Sequence, residues 1–163
     1  MLAQVPYDRT SAVQYAESWA LKRNPRYISF NGIGGDCTNF ASQCVYSGCK
    51  VMNYTKDLGW YYISPYNRSA AWSGVEFLYR FLTTNRSAGP YAEETDADKL
   101  EPGDLIQLGN ENGHFYHTPV VTAVNGDEIL VSAHSYDALN RPLNSYIYVR
   151  MRCLHILGAR RWQ

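Results

Sequence analysis

The chain predicts an α+β domain in which helices come first and an antiparallel sheet follows. Three observations carry this. Apolar residues recur at helical spacing over roughly the first half of the chain. Beyond Leu100 the pattern turns to short runs rich in Val, Ile, Leu and Tyr, bounded by turn residues. The Asn125-Gly126 dipeptide between two such runs is a strong signal for an antiparallel hairpin. Helical segments followed by strand segments in this order define the α+β class.

The elements follow in order. Asp8 or Thr10 can cap a first helix, whose Ala12, Ala16, Trp19 and Ala20 share a face until Asn24-Pro25 ends it. Residues 25–35, rich in Gly and Asn, read as a loop. From Cys37 the pattern is helical again, with Phe40, Ala41, Cys44 and Val45 on one face and Gly48 as the C-cap. Residues 49–70 are irregular, and Trp60-Tyr61-Tyr62 is a candidate lining for a peptide or sugar groove. A third helix is expected from Trp72 to Thr83, then a polar loop to Leu100. Strands are expected over Asp104–Leu108, His117–Val124, Glu128–His134 and Ser145–Leu157.

At 163 residues the chain is long enough for one domain with its own core, and residues 1–163 show neither a linker nor an internal repeat. A formal net charge of zero argues against nucleic acid or an acidic surface as partner. No segment is long and apolar enough to span a bilayer, and MLAQVPYDRT lacks the features of a signal peptide. The expectation is a cytoplasmic protein, or a domain separated from its secretion signal, acting as a monomer. Fourteen tyrosines and four tryptophans are expected mostly in the core and on sheet faces.

The stretch GGDCTNFASQC, residues 34–44, points to chemistry. A cysteine in the first turn of a helix meets unpaired N–H groups and the positive end of the dipole, and both favour thiolate below the free value of about 8.5. Asp36 can serve as N-cap, accepting from a first-turn N–H. Gly34 and Gly35 permit a sharp entry and leave room above the sulfur. An activated nucleophile whose own N–H contributes to an oxyanion hole would have this form. The alternative is that Cys37 packs as a small hydrophobe, as Cys44 and Cys49 do. None of Cys37, Cys44, Cys49 and Cys153 forms a C-x-x-C pair, so zinc is disfavoured. A helix would hold Cys37 and Cys44 about 10 Å apart along its axis, too far for a disulfide, and free thiols are expected.

A thiol nucleophile needs a base. His114 lies in a polar loop and His155 late in the last strand, which leaves His117 and His134. A type I′ turn at Asn125-Gly126 pairs Val124 with Asp127 and, carried along both strands, sets His117 opposite His134. If the turn slips to Gly126-Asp127, His117 faces Tyr136 and His134 becomes its diagonal neighbour. The pair has three readings: an unremarked pair on a sheet face, a metal site for which local spacing supplies no third ligand, or a base with its orienter. In the last, His117 takes the proton of Cys37 and His134 fixes its tautomer, with Asp137 as the alternative orienter.

GGDCTNFASQC, LEPGDLIQL, HTPVV and AHSYD occur in that order, with YDRTSAVQYAESWALKRNPRY before them and YNRSAAWSGVEFLYRFL in the middle. Together they resemble the putative amidase domain family of bacteria, within the papain-like clan that includes NlpC-type and CHAP-type cell-wall hydrolases. The resemblance covers nearly the whole chain, and DCTNFASQC is its specific part. It implies a papain-like, NlpC-like fold with the nucleophile at a helix N-terminus packed on the sheet. It also implies Cys37 as nucleophile, His117 as base and His134 as the third polar member. Tyr27 stands at the distance of a supporting tyrosine, and Asp36 matches a structural position. The spacing from His117 to His134 exceeds that usual in NlpC-type domains, which keeps Asp137 open as the third member. The implied activity is cleavage of an amide through a thioester, on a peptide or peptidoglycan-like substrate, with no metal or organic cofactor. An acyltransferase with the same site, or a non-catalytic binding module of the same fold, are the rival readings.

Overall fold

The computed structural model describes residues 1–163 and confirms the α+β class. Helix α1 (Arg9–Trp19) begins where Asp8 accepts from the Ser11 N–H at 3.0 Å and from its hydroxyl at 2.7 Å. Ala12 and Ala16 are buried along it, and Ala20 just beyond, so α1 can lie close against α2. Helix α2 (Cys37–Cys49) is the central element, buried on nearly every side. Its apolar face is the expected one. Its polar residues are buried too, and each finds a partner. Asn39 donates to the Ile28 carbonyl and accepts from Trp72 Nε1. Ser42 donates to the Trp72 carbonyl, and Gln43 accepts from Tyr15 at 2.5 Å.

Helix α2 ends at Lys50, in the left-handed region at φ 59°, rather than at Gly48. Gly48 has another task. A Cβ there would stand 2.4 Å from the Tyr7 ring and 2.9 Å from the Asp8 carbonyl, where the chain enters α1. Gly48→Ala is therefore expected to lower stability by about 1–3 kcal/mol, read as a drop in the urea midpoint with an unchanged m-value.

The aromatic segment after α2 folds inward. Strands β1 (Leu2–Val5), β2 (Tyr62–Ser64) and β3 (Asn67–Arg68) were not expected, and β2 and β3 pair as a small ribbon. Trp60, Tyr61 and Tyr62 are buried, and the Trp60 and Trp72 rings lie 4.7 Å apart. Trp60 and Tyr62 join the main core, and of the three Tyr62 also lines a surface cavity of about 270 Å³ with Tyr27, Tyr46 and Tyr54. The expected third helix is two pieces, α3 (Ala70–Ser73) and α4 (Val75–Thr84), because Gly74 between them is extended.

The sheet is antiparallel and curls around α2. Its remaining strands are β4 (Gly89–Thr95), β5 (Leu105–Gly109), β6 (Phe115–His117), β7 (Val120–Asn125), β8 (Glu128–Ala133), β9 (Ala138–Pro142) and β10 (Arg150–Trp162). The order is β1-β10-β5-β7-β8-β9, with β4 also on β10 and β6 also on β5. Leu105, Val120 and Leu154 face the helices and join the main core. Ile106, Leu108, Val121, Val131 and Cys153 face the other way, into a second cluster with Leu100 and Leu143. The span 89–95, expected as loop, is a strand because β10 supplies its partner. No helix is long and apolar enough to cross a membrane.

Candidate active site

Cys37 is the first residue of α2, and all four cysteines are free thiols. Asp36 stands at the N-cap position, but its side chain accepts from no first-turn N–H. The carboxylate turns inward instead. It accepts from the Phe30 N–H at 2.8 Å, from Asn39 Nδ2 at 2.9 Å and from His134 Nδ1 at 2.5 Å, with Arg23 Nε at 3.5 Å. Burial alone would raise its pKa. The bonds from His134, Phe30 and Asn39 outweigh burial and hold the carboxyl below its ordinary value. With the cap turned away, the Asp36 side chain occupies none of the first amides of α2, as an oxyanion site requires.

The loop before the cysteine is held from the opposite hairpin. The Asp36 N–H donates to Ser135 Oγ at 2.7 Å. Gly35 has φ +99°, and a Cβ there would stand 3.2 Å from that same oxygen. Gly34, at φ +84°, has open space around it. Glycine is thus needed at 35 for backbone conformation and for the approach of Ser135 as well as for access.

His134 does not reach His117. Its Nε2 donates to the Trp19 carbonyl at 2.7 Å, its Nδ1 faces Asp36, and its ring stacks on Phe40 at 4.0 Å. A carbonyl only accepts, so Nε2 carries a hydrogen and a further proton lies in the Nδ1–Asp36 bond. No nitrogen is left to orient another ring. His117 pairs with Leu108 on β5 and so points to the outer layer, its ring 5.8 Å from Tyr146. The turn explains the separation. Asn125 pairs with Glu128, leaving Gly126-Asp127 as the loop, and Gly126 has φ +62°. This is the slipped turn, with glycine first as in type II′. A bulge between Val121 and Ala123 then takes the pairing back by one residue, giving Val120 opposite Ser132 and a net shift of one from the unslipped register. A one-residue shift reverses the faces, so the two imidazoles lie on opposite sides of the sheet.

Asp137 does not face His117 either. It forms a two-pronged pair with Arg23, both bonds 2.9 Å. Tyr27 packs edge-on to Tyr62 at 5.0 Å and stacks on Trp72 at 5.9 Å, and no hydrogen bond joins it to Cys37.

What the structure does bring together is Cys37 and the main chain around His117. The sulfur lies 3.9 Å from the Tyr116 carbonyl and 3.8 Å from Thr38 Oγ1. Burial pushes its pKa up rather than down. The Thr118 N–H and the hydroxyl and N–H of Thr38 pull it back, while the Asp36 charge adds to the rise. The expected lowering fails because Cys37 is only 6 % exposed. Burial, followed by the nearby Arg141 charge, brings His117 down to about 4. No protein group hydrogen-bonds its ring. At rest the thiol and the imidazole are therefore both neutral.

The His117 shift has a thermodynamic consequence. Its folded pKa of about 4 lies below the ordinary 6.5, so the unfolded chain binds the proton more tightly. Stability from this group is full above about pH 6.5 and falls by about 3 kcal/mol as pH drops toward 4. Urea unfolding of the wild type should show this decline, and His117→Gln should flatten it.

Thr38, Asn39, Thr118, Ser135 and the Trp19 carbonyl all contact this site, and none was a candidate from sequence. Thr38 and Asn39 stand directly after the cysteine, next to the apolar run that begins at Phe40, which is the available signal. A surface cavity of about 360 Å³ between α4 and residues 53–58 is lined by neither cysteine nor histidine.

An α+β domain whose central helix starts at a buried cysteine, against a histidine-bearing strand, defines the class. Residues 6–156 match the family model described as "Putative amidase domain", and the chain belongs to that family. It is 35 % identical over 139 residues to the uncharacterized protein YhbB of Bacillus subtilis (strain 168), covering 83 % of this chain and 43 % of that protein. It is 31 % identical over 147 residues to the uncharacterized protein YjcM of the same organism, covering 83 % of this chain and 32 % of that protein. The chain thus spans less than half the length of these relatives. No solved structure matches it.

Proposed function

We propose that the domain is a cysteine amidohydrolase. Cys37 Sγ attacks the carbonyl carbon of an amide while His117 takes the thiol proton. The C–N bond breaks, His117 returns that proton to the leaving amine, and a thioester remains on Cys37. Water, deprotonated by His117, attacks the thioester and releases the acid and the thiol. First-turn amides of α2 receive the negative oxygen at both stages. The observation that carries this reading is the uncapped start of α2 at Cys37, with the sulfur against the main chain flanking an imidazole that has no other partner. The neutral state of His117 suits a base. Attack requires the imidazole to turn toward the sulfur once substrate is bound.

The proposed substrate is an amide of bacterial cell-wall peptides, on the strength of the family resemblance. Ile33, Tyr116 and Tyr136 are exposed on the segments that precede Cys37, precede His117 and follow His134, and are the proposed apolar contacts for such a substrate. Ser135 and Tyr136 both have φ 62°, a conformation that costs about 1–3 kcal/mol each in non-glycine residues. Mass spectrometry of the protein mixed with cell-wall peptides tests the reading: an acyl adduct on Cys37 and new amine termini are expected. Intact peptides and no adduct, from protein whose Cys37 still alkylates, would overturn it.

A further inference from the structure

We propose that Arg152, Gln107, Thr118 and Thr38 form a directional hydrogen-bond relay that ends on the Cys37 sulfur and favours its thiolate. The relay rests on reading Cys37 as the nucleophile and adds to it two positioning residues, Gln107 and Arg152, that do not touch the sulfur. It starts where Arg152 and Gln107 pair across β10 and β5. Arg152 Nε donates to Gln107 Oε1 at 2.8 Å, and its guanidinium is held between the rings of Tyr79 and Phe115 at 3.6 and 3.9 Å. Its other arm donates to Glu76 at 2.8 Å.

The direction follows from chemistry. Gln107 is fully buried, and its amide cannot be reversed: Oε1 faces a guanidinium that only donates, and Nε2 faces the Val75 carbonyl, which only accepts, at 3.0 Å. Its second Nε2 hydrogen points to Thr118 Oγ1 at 3.3 Å. Thr118 is also fully buried, and the one acceptor for its own hydroxyl hydrogen is Thr38 Oγ1 at 3.0 Å. Were Thr38 the donor of that bond, the Thr118 hydrogen would be buried with no acceptor, a costly state. Thr118 therefore donates, and the Thr38 hydroxyl is free to point at Cys37 Sγ, 3.8 Å away. Each bond polarises the next, so a fixed guanidinium is felt at the sulfur through three neutral side chains. The other titratable or charged groups around the sulfur are Asp36 behind it, with His134 and Arg23 against that carboxylate, and His117 on β6.

The test is the pH dependence of iodoacetamide alkylation at Cys37, assigned by peptide mass spectrometry, which needs no substrate. Gln107→Glu keeps the size and the Arg152 partner but removes the donor to Thr118. The chain then reverses, and Thr38 turns a lone pair to the sulfur. Gln107→Glu and Thr38→Val should each raise the apparent pKa by about one unit, a tenfold loss of thiolate at a given pH. Thr38→Ser should restore the wild-type profile, and it decides the matter if Gln107→Glu fails to fold. Wild-type profiles in folded Thr38→Val, or a shift in Thr38→Ser as large as in Thr38→Val, would overturn the relay. A shift in the expected variants without any amide turnover by the wild type would uphold the relay and remove the amidohydrolase reading alone.

Discussion

Cys37→Ala and His117→Ala are each expected to remove amide turnover, by about 10³-fold or more. The fold should survive the first change, since the sulfur lies among polar partners at the start of α2 and its loss leaves no charge unpaired. Circular dichroism and the urea midpoint of Cys37→Ala should stay near wild type. If the two residues act as one unit, the double variant should be little worse than either single one. Multiplicative losses would separate His117 from the nucleophile. His114→Ala is the control, because that side chain is exposed and only its main chain is engaged by Asn110. His155 is not a suitable control: its ring is bonded at 2.8 Å to Asp104, a buried carboxylate that also accepts from Arg9. Kinetics across pH, fitted for the single and double variants, check the assignment.

Asp36→Ala is expected to be the most destabilising single change near the site, at about 3–5 kcal/mol. It strands three donors at once, His134 Nδ1, the Phe30 N–H and Asn39 Nδ2, in a place where Asp36 is fully buried. His134→Ala should lose stability as well, because it takes one of three donors from the buried carboxylate and removes the hydrogen-bond partner of the Trp19 carbonyl. The sign with pH is the same as for His117, with the window moved to more acid pH. Asp36 has a lowered folded pKa, so its contribution is present above the ordinary carboxylate value and is lost as pH falls through the folded one. Denaturant titrations at pH 7 and below pH 4 should show the penalty of Asp36→Ala shrinking at the acid end. A His134 variant with wild-type stability but no turnover would return that residue to a direct role in the reaction.

Local features of the chain were legible because short-range physics sets them. The Asp8 cap opens α1, Cys37 opens α2, and β5 and β8 lie close to where alternation and turn residues placed them. The strands β1, β4 and β9 were not legible. Each is short or polar by its own residues and becomes a strand through the partner it meets, β10 for the first two and β8 for the third. The split between α3 and α4 at Gly74 went unseen for a related reason, as a lone glycine inside a helical pattern carries a weak local signal.

Residue types and helical periodicity alone determined that a cysteine would begin a central helix after a glycine-rich entry, and that a hairpin would follow His117. Which atoms meet at the cysteine was decided in three dimensions. A single bulge near Thr122 reversed the faces of His117 and His134, because strand side chains alternate with a period of two and one extra residue exchanges every face beyond it. The Asp36 carboxylate left its cap position for His134 and the Phe30 N–H, since a buried charge is stabilised more by several close donors than by one helix amide. Burial of the sulfur then set the resting thiol protonated, a property of the surrounding protein rather than of the GGDC stretch.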